Sequence, residues 1–209
     1  MASAAPSFFY FQSKSMKSTL VKKAVTKNPV HELIRSRWSA RSFSDKPIAQ
    51  ADLDTVFEAA SWAFSAMNAQ PWEYVYAHRS DTEAFEKLWD CLLPGNQPWA
   101  KNAAVLVVSL AKKKFENGNP NASHLHDVGA ANATLALQAM ALGIYSHPMG
   151  GFDKKAVIEL LHLDPNEVEP VLCFALGYLD EAEKLEEPFQ SRELTGRSRK
   201  AVEDFAKQL

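Results

Sequence analysis

The sequence lacks several features that mark specialised classes of protein. Its 209 residues include only two cysteines, Cys91 and Cys173, too few for a disulfide framework or a four-cysteine metal site. It has no run of about 18 apolar residues, so we expect no helix that spans a membrane. It also has no excess of positive charge, because 23 Lys and Arg face 25 Asp and Glu. That balance argues against a dedicated nucleic-acid-binding protein.

Common functional motifs are absent as well. The chain contains no G-x-G-x-x-G, no Walker loop and no G-x-S-x-G, so dinucleotide-fold, phosphate-loop and hydrolase interpretations lack their signatures. His124, His126 and Asp127 match no standard metal spacing, and we predict no metal. The 46% hydrophobic and 23% charged composition is typical of a globular protein, which we expect to be cytoplasmic and to keep its two cysteines reduced and buried.

The first 28 residues differ from the rest because they carry five lysines and no acidic residue. We interpret residues 1–28 as a flexible N-terminal arm and residues 29–209 as one domain. A transit peptide and initiation at Met16 remain alternatives, and the aromatic cluster Phe8–Phe11 is a candidate contact with a partner subunit.

Hydrophobic periodicity predicts an α+β fold. The apolar run 103–110 is typical of a strand buried on both faces, and the small apolar residues of 127–142 predict a buried central helix ended by Gly143. Asn28 and Pro29 are predicted to start a short helix. The remaining predicted helices cover 49–64, 82–92, 153–161 and 199–208, and the remaining strands cover 72–77 and 170–178.

Three polar segments interrupt this pattern. Arg37 and Arg41 with Ser39 between them form a candidate anion site, since guanidinium groups donate paired hydrogen bonds to phosphate; a solvated basic loop is the alternative. The stretch 65–72 offers Ser, Asn and Gln to a heterocycle edge, or plain turn chemistry. In 147–153 two of the eight glycines are adjacent, which either admits a flat ligand or makes a tight turn before a helix capped by Asp153.

In this order the segments resemble the nitroreductase family of FMN-dependent oxidoreductases, over residues 30–195. The resemblance rests on R-x-S-x-R at 37–41, F-S-A-M-N-A-Q-P-W at 64–72, the helix from Asp127, P-M-G-G-F-D at 148–153, and the strand ending in Gly177-Tyr178. It implies a central mixed or antiparallel sheet flanked by helices, a long central dimerisation helix and an extended C-terminal tail. Two departures are Phe64 in place of the usual proline and Gly150 where some members carry Glu.

The resemblance also implies a set of cofactor-binding residues. The residues implied to hold the phosphate are Arg37, Trp38, Ser39 and Arg41, together with Arg192 from late in the chain, for which Arg197 is the alternative. Those implied to approach the flavin from the second subunit are Ser65, Ala66 and Asn68. Those implied to line the isoalloxazine are Pro148, Met149, Gly150 and Gly151. No side chain is implied as an obligatory acid or base. The residue at the pyrimidine edge has no clear match, and 96–101 is the candidate stretch.

The implied activity is transfer of hydride from NAD(P)H through flavin N5 to an electron-poor small-molecule acceptor, such as a nitroaromatic or a quinone, in a homodimer with FMN at its interface. Three alternatives stay open at this point. One is a family relative that dehalogenates, dehydrogenates a ring or fragments flavin; another is a non-catalytic flavin-binding protein; the third is a helical interaction module whose basic loop is merely surface.

Overall fold

A four-stranded sheet forms the centre of the molecule. The computed structural model describes residues 16–209, so the Phe8–Phe11 cluster lies outside the described residues. The strands are β1 (Trp72–His78), β2 (Val105–Lys112), β3 (Tyr145–Met149) and β4 (Val168–Gly177), in the order β1-β2-β4-β3. Each neighbouring pair is antiparallel, which confirms the antiparallel form of the expected sheet.

Eight α-helices accompany the sheet in the part of the chain that the structure describes. They are α1 (Lys17–Lys22), α2 (Glu32–Ser36), α3 (Gln50–Ser61), α4 (Thr82–Asp90), α5 (Gln97–Ala100), α6 (His124–Ala141), α7 (Lys154–Leu160) and α8 (Phe189–Leu194). Short 3₁₀ turns cover Ala66–Asn68, Ala182–Lys184 and Val202–Asp204.

Strand β2 separates two apolar cores, as its unbroken apolar sequence predicts. Because side chains alternate across a strand, Val105 and Val107 face the core shared with α3 and α6, while Leu106 and Val108 face the core that contains Trp99. The α+β interpretation is therefore confirmed. The predicted central helix forms as α6, which buries one face, including Ala131, Leu135 and Ala139, and leaves Gly129 and Ala133 exposed.

Two predicted helix signals appear as expected. Gly143 follows α6 with a φ of +72°, the left-handed conformation that glycine adopts without steric cost. Asp153 caps α7, its carboxylate accepting hydrogen bonds from the backbone N–H groups of Lys155 and Ala156.

Three local predictions are wrong. The first domain helix is capped by His31 rather than by Asn28 and Pro29, since the His31 side chain accepts from Leu33 N. Residues 199–208 form only the turn Val202–Asp204, because this exposed segment has no apolar face buried against the domain, and short helices need such packing. Pro148 and Met149 belong to β3 rather than to a loop, and the edge position of β3 tolerates a residue without an N–H.

Helix α1 lies within the predicted N-terminal arm yet packs against α8. Its Ser18 and Lys22 are buried. The prediction of a flexible arm did not include this contact, and the domain boundary at residue 29 stays a prediction.

Both cysteines are buried and unpaired. Across residues 16–209 no helix combines the length and hydropathy needed to cross a membrane, and no three His, Cys, Asp or Glu side chains gather in a way that could hold a metal ion.

Candidate functional site

The segment after α2 leaves the helix with extended backbone at Arg37 and contacts the edge strand β3. Trp38 and Ala40 are buried; the Trp38 ring lies 4.6 Å from that of Tyr145, and the Ala40 carbonyl accepts a hydrogen bond from His147 Nδ1 at 2.9 Å. Because side chains alternate along an extended chain, the intervening residues of this segment face the other way. The sequence thus places alternate apolar residues in the core and leaves the polar ones for a pocket.

That pocket is a cleft of about 170 Å³ with an unusual density of positive charge. It brings together the four predicted phosphate residues and three that come from distant parts of the chain. The lining residues are Lys22, Arg37, Trp38, Ser39, Arg41, Arg197 and Arg199. We call this group the cationic pocket.

No acidic side chain is among the residues that line the cationic pocket. Burial lowers the pKa of Arg37 and of Arg41, and the neighbouring cations Arg199 and Arg192, respectively, lower it further, although Glu193 opposes the shift at Arg41. Neither residue makes a salt bridge with another residue in the described range 16–209. Half-buried like charges that make no salt bridge favour binding of an anion.

Glu193 of α8 is a buried carboxylate beside the pocket that sequence reasoning missed. It is fully buried, and its Oε1 accepts from Trp38 Nε1 at 3.4 Å and from the Arg41 backbone N–H at 3.3 Å. Burial raises the pKa of Glu193, while those bonds and the charges of Arg41 and Lys22 oppose the shift. Glu193 therefore fixes the position of the Trp38 ring and of the Arg41 backbone.

The two competing late arginines have different positions. Arg197 lines the pocket and donates to the carbonyls of Arg35 and Arg37, each at 2.7 Å, while its buried Nε has no partner among residues 16–209. Arg192 is exposed, lies over the Phe189 ring and does not line the pocket. The structure therefore places Arg197, rather than the predicted Arg192, in the cationic pocket.

The two glycines after β3 have different surroundings. A Cβ on Gly150 would meet nothing within 4 Å, whereas one on Gly151 would lie 2.8 Å from Asn96 Nδ2. The Gly151 carbonyl accepts from that Nδ2 at 2.9 Å and from Leu93 N at 3.0 Å. Gly150 thus leaves an open face at the end of β3, and Gly151 fixes the turn; Met149 is buried in the core.

The loop around Ser65, Ala66 and Asn68 does not line the cationic pocket. Met67, Asn68 and Gln70 all have positive φ, and Ala66 N donates to Asp127 Oδ2 at 2.9 Å, which joins the loop to the start of α6. Around it the structure exposes a group of large apolar side chains, which we call the apolar patch: Trp62, Phe64, Met67 and Leu125.

Comparison with known proteins gives this arrangement a family. A model described as the nitroreductase family matches residues 34–96 and 91–178, more than half of the chain. The chain belongs to the nitroreductase family. An Archaeoglobus fulgidus protein that carries the name NADH dehydrogenase/NAD(P)H nitroreductase is 30% identical over 151 residues, 70% of this chain and 83% of that relative. The Bacillus subtilis FMN reductase [NAD(P)H] is 30% identical over 171 residues, 72% of this chain and 66% of that enzyme.

Solved structures agree with the assignment. A crystal structure described as an oxidoreductase containing FMN superposes with a TM-score of 0.83 and 37% identity, covering 88% of this chain and 93% of that one. The nitroreductase fold implied by the sequence is thereby confirmed. The family match begins at residue 34 and ends at residue 178, so Lys22, Glu193 and Arg197 all lie outside it.

Proposed function

We propose that this nitroreductase-family chain is an oxidoreductase that binds FMN and uses NAD(P)H to reduce an electron-poor small molecule, such as a nitroaromatic or a quinone. The names of the relatives support the cofactor and the reductant. The observation that carries the proposal is the cationic pocket, in which Arg37 and Arg41 lie half-buried and make no salt bridge within the described chain.

The residues of the pocket suit the phosphate of FMN. A phosphate dianion accepts several charge-assisted hydrogen bonds, and Arg37 and Arg41 can supply them in pairs. The buried Nε of Arg197 is an N–H donor without an acceptor in the described chain, as expected of a site that holds an anion. We therefore assign Arg37, Ser39, Arg41 and Arg197 to the phosphate, with Trp38 packed behind them.

The remaining groups shape the site. Bound FMN supplies reversible two-electron chemistry between NAD(P)H and the acceptor. Gly150 leaves room for a flat ring because no side chain occupies its exposed face, and Asn96 holds the Gly151 carbonyl in place. Burial lowers the pKa of His147 to about 4, so its ring is neutral at pH 7 and Nδ1–H donates to Ala40.

We further propose a homodimer in which the loop Ser65–Asn68 of one subunit reaches the flavin of the other. This loop does not line the cationic pocket of its own chain, and the residues of the apolar patch beside it are exposed large hydrophobic side chains, as in a surface that binds another protein. Phe64 and Met67 are 69% and 90% exposed. A cytoplasmic location is part of the proposal, supported by two unpaired cysteines.

The test is steady-state oxidation of NADH and NADPH by the purified full chain with menadione or a nitroaromatic, with and without added FMN. The proposal expects FMN-dependent turnover with at least one reductant. A protein that binds FMN but gives no turnover above free FMN would indicate a flavin-binding protein without catalysis. Failure to bind FMN would overturn the proposal entirely.

A further inference from the structure

Helix α1 contributes a lysine to the cationic pocket from outside the region that the family model matches. Lys22 is the last residue of α1 and lines the pocket with Arg37 and Arg41. It is only 8% exposed, although α1 lies at the edge of the described chain. A lysine that is more than nine-tenths buried needs a physical reason, because burial disfavours the ammonium charge.

Several contacts hold this lysine in position. Lys22 Nζ donates to the Arg192 carbonyl of α8 at 2.5 Å. Just after α1, Ala24 and Arg35 exchange two hydrogen bonds, from Ala24 N to the Arg35 carbonyl at 2.9 Å and from Arg35 Nε to the Ala24 carbonyl at 3.2 Å. The end of α1 is therefore fixed to both α2 and α8 and carries Lys22 to the pocket.

Lys22 forms no salt bridge with any residue in the range 16–209. The carboxylate whose charge acts on it is Glu193, which uses Oε1 to bind Trp38 and the Arg41 backbone and has no hydrogen-bond partner at Oε2 among these residues. Burial lowers the pKa of Lys22, Glu193 opposes that shift, and Arg41 and Arg197 add to it. An ammonium group has three donors, and only one of them is used by the Arg192 carbonyl.

We propose that Lys22 is a further phosphate-binding residue, so that helix α1 completes the anion site together with the family segment at 37–41. The inference rests on the proposed FMN function, and it adds a ligand that the family motif does not contain. Lys22 binds the phosphate with its free N–H donors, and the anion adds its negative charge to that of Glu193, which is shared with Arg41.

The test compares two adjacent lysines in the full-length chain after removal of bound flavin. Lys22→Ala and Lys23→Ala remove the same charge, but the Lys23 ammonium lies 2.6 Å from Glu32 at an exposed salt bridge. Fluorescence titrations with FMN and with riboflavin, which lacks the phosphate, measure each variant. We expect Lys22→Ala to weaken FMN binding by about tenfold to hundredfold, the range for a lost charge-assisted hydrogen bond.

The same variant is expected to bind riboflavin within about twofold of the wild type, and Lys22→Arg is expected to restore most of the FMN affinity. Lys23→Ala is expected to change neither ligand by more than about twofold. Lys22→Met, which keeps the buried aliphatic stem, is measured in parallel with its melting temperature in case Lys22→Ala does not fold.

The outcomes separate the two proposals. A wild type that binds FMN no better than riboflavin contradicts the phosphate site itself, and with it the proposed function. A wild type that strongly prefers FMN, with Lys22→Met folded and unchanged in FMN affinity, leaves the proposed function standing and overturns the role of Lys22 alone. Equal losses for FMN and riboflavin also overturn it, because they indicate a general structural effect.

Discussion

The cationic pocket and the loop Ser65–Gln70 were both expected to bind the cofactor, yet the structure builds them in opposite ways. The pocket is assembled within one chain from three separate stretches, namely the end of α1, residues 37–41 and the tail from 197. The loop combines left-handed backbone at non-glycine residues with the exposed apolar patch, and it does not reach the pocket of its own chain.

The loop and the pocket also differ in the source of their unfavourable free energy. Met67, Asn68 and Gln70 have positive φ values, each of which costs about 1 kcal/mol or more of free energy. Such strain persists only where surrounding contacts stabilise it. The pocket also holds unfavourable features, but an anion compensates for them. We therefore interpret the pocket as a site that one chain assembles by itself, and we propose that the loop contributes to a site of a second subunit.

The largest effect on FMN binding is expected from substitution of Arg41. Arg41→Ala removes a half-buried guanidinium with no salt bridge in the described chain, so FMN binding should weaken by about hundredfold through loss of paired hydrogen bonds to phosphate. The free energy of unfolding should change by less than about 1 kcal/mol, since the lost contact with the Trp99 ring, at 5.7 Å, is offset by weaker repulsion among the cations. FMN titration and thermal unfolding measure the two quantities.

Arg192→Ala is the matched control for that variant. Arg192 carries the same charge but is exposed and outside the pocket, so its loss should alter FMN affinity by no more than about threefold. Arg192→Ala as damaging as Arg41→Ala would restore the original assignment of Arg192 and remove Arg197 from that role.

The next effect concerns the loop. Met67→Lys places a charge in the centre of the apolar patch, where Met67 is 90% exposed in one chain. If the patch is a dimer interface, the dimer dissociation constant should rise by about tenfold to hundredfold because a buried unpaired charge is costly. Sedimentation measures it, with Val25→Lys as the control at an exposed site outside the patch. A monomeric wild-type protein would contradict the proposal that the apolar patch is a dimer interface.

A third prediction separates the two glycines after β3. Gly151→Ala should lower the free energy of unfolding by about 1–3 kcal/mol, because its Cβ would clash with Asn96 and displace the bond to the Gly151 carbonyl. Gly150→Ala should leave stability unchanged but weaken FMN binding by about tenfold, since its Cβ would project onto the open face. Denaturant unfolding and FMN titration together test both. Equal FMN affinity in Gly150→Ala and the wild type would remove the flavin from that face.

The smallest effect is a pH dependence of stability from His147. Its folded-state pKa of about 4 lies below the ordinary 6.5, so the unfolded chain takes up protons first as the pH falls. The stability is therefore full above about pH 6.5 and decreases between pH 6.5 and 4, by about 1–2 kcal/mol from pH 7 to pH 5. His147→Asn retains a donor for the Ala40 carbonyl and should lose less stability over the same interval. Identical pH profiles in the two proteins would contradict this cause.

The sequence predicted what depends on local pattern. The cationic residues 37–41, the buried strand β2, the glycine after α6 and the Asp153 cap all follow from spacing and residue type. Lys22 and Glu193 were missed because nothing in their own neighbourhoods distinguishes them; their importance comes from the packing of α1 on α8.

The same reasoning explains the choice between the two late arginines. The sequence alone does not distinguish Arg192 from Arg197 as a phosphate ligand. The fold shows that Arg197 donates to the carbonyls of Arg35 and Arg37. The contact between Asn96 and Gly151 joins residues far apart in the chain and has no local signal either. Contacts between distant segments were therefore the part that sequence pattern did not supply.

We propose that the cationic pocket holds the phosphate of FMN, and titration with two flavins tests this assignment. The full chain, freed of flavin, is titrated with FMN and with riboflavin at the same ionic strength, and the two dissociation constants are compared. We predict that FMN binds at least about hundredfold more tightly and that added salt reduces this preference. Equal affinity for the two flavins, or binding of neither, would contradict it.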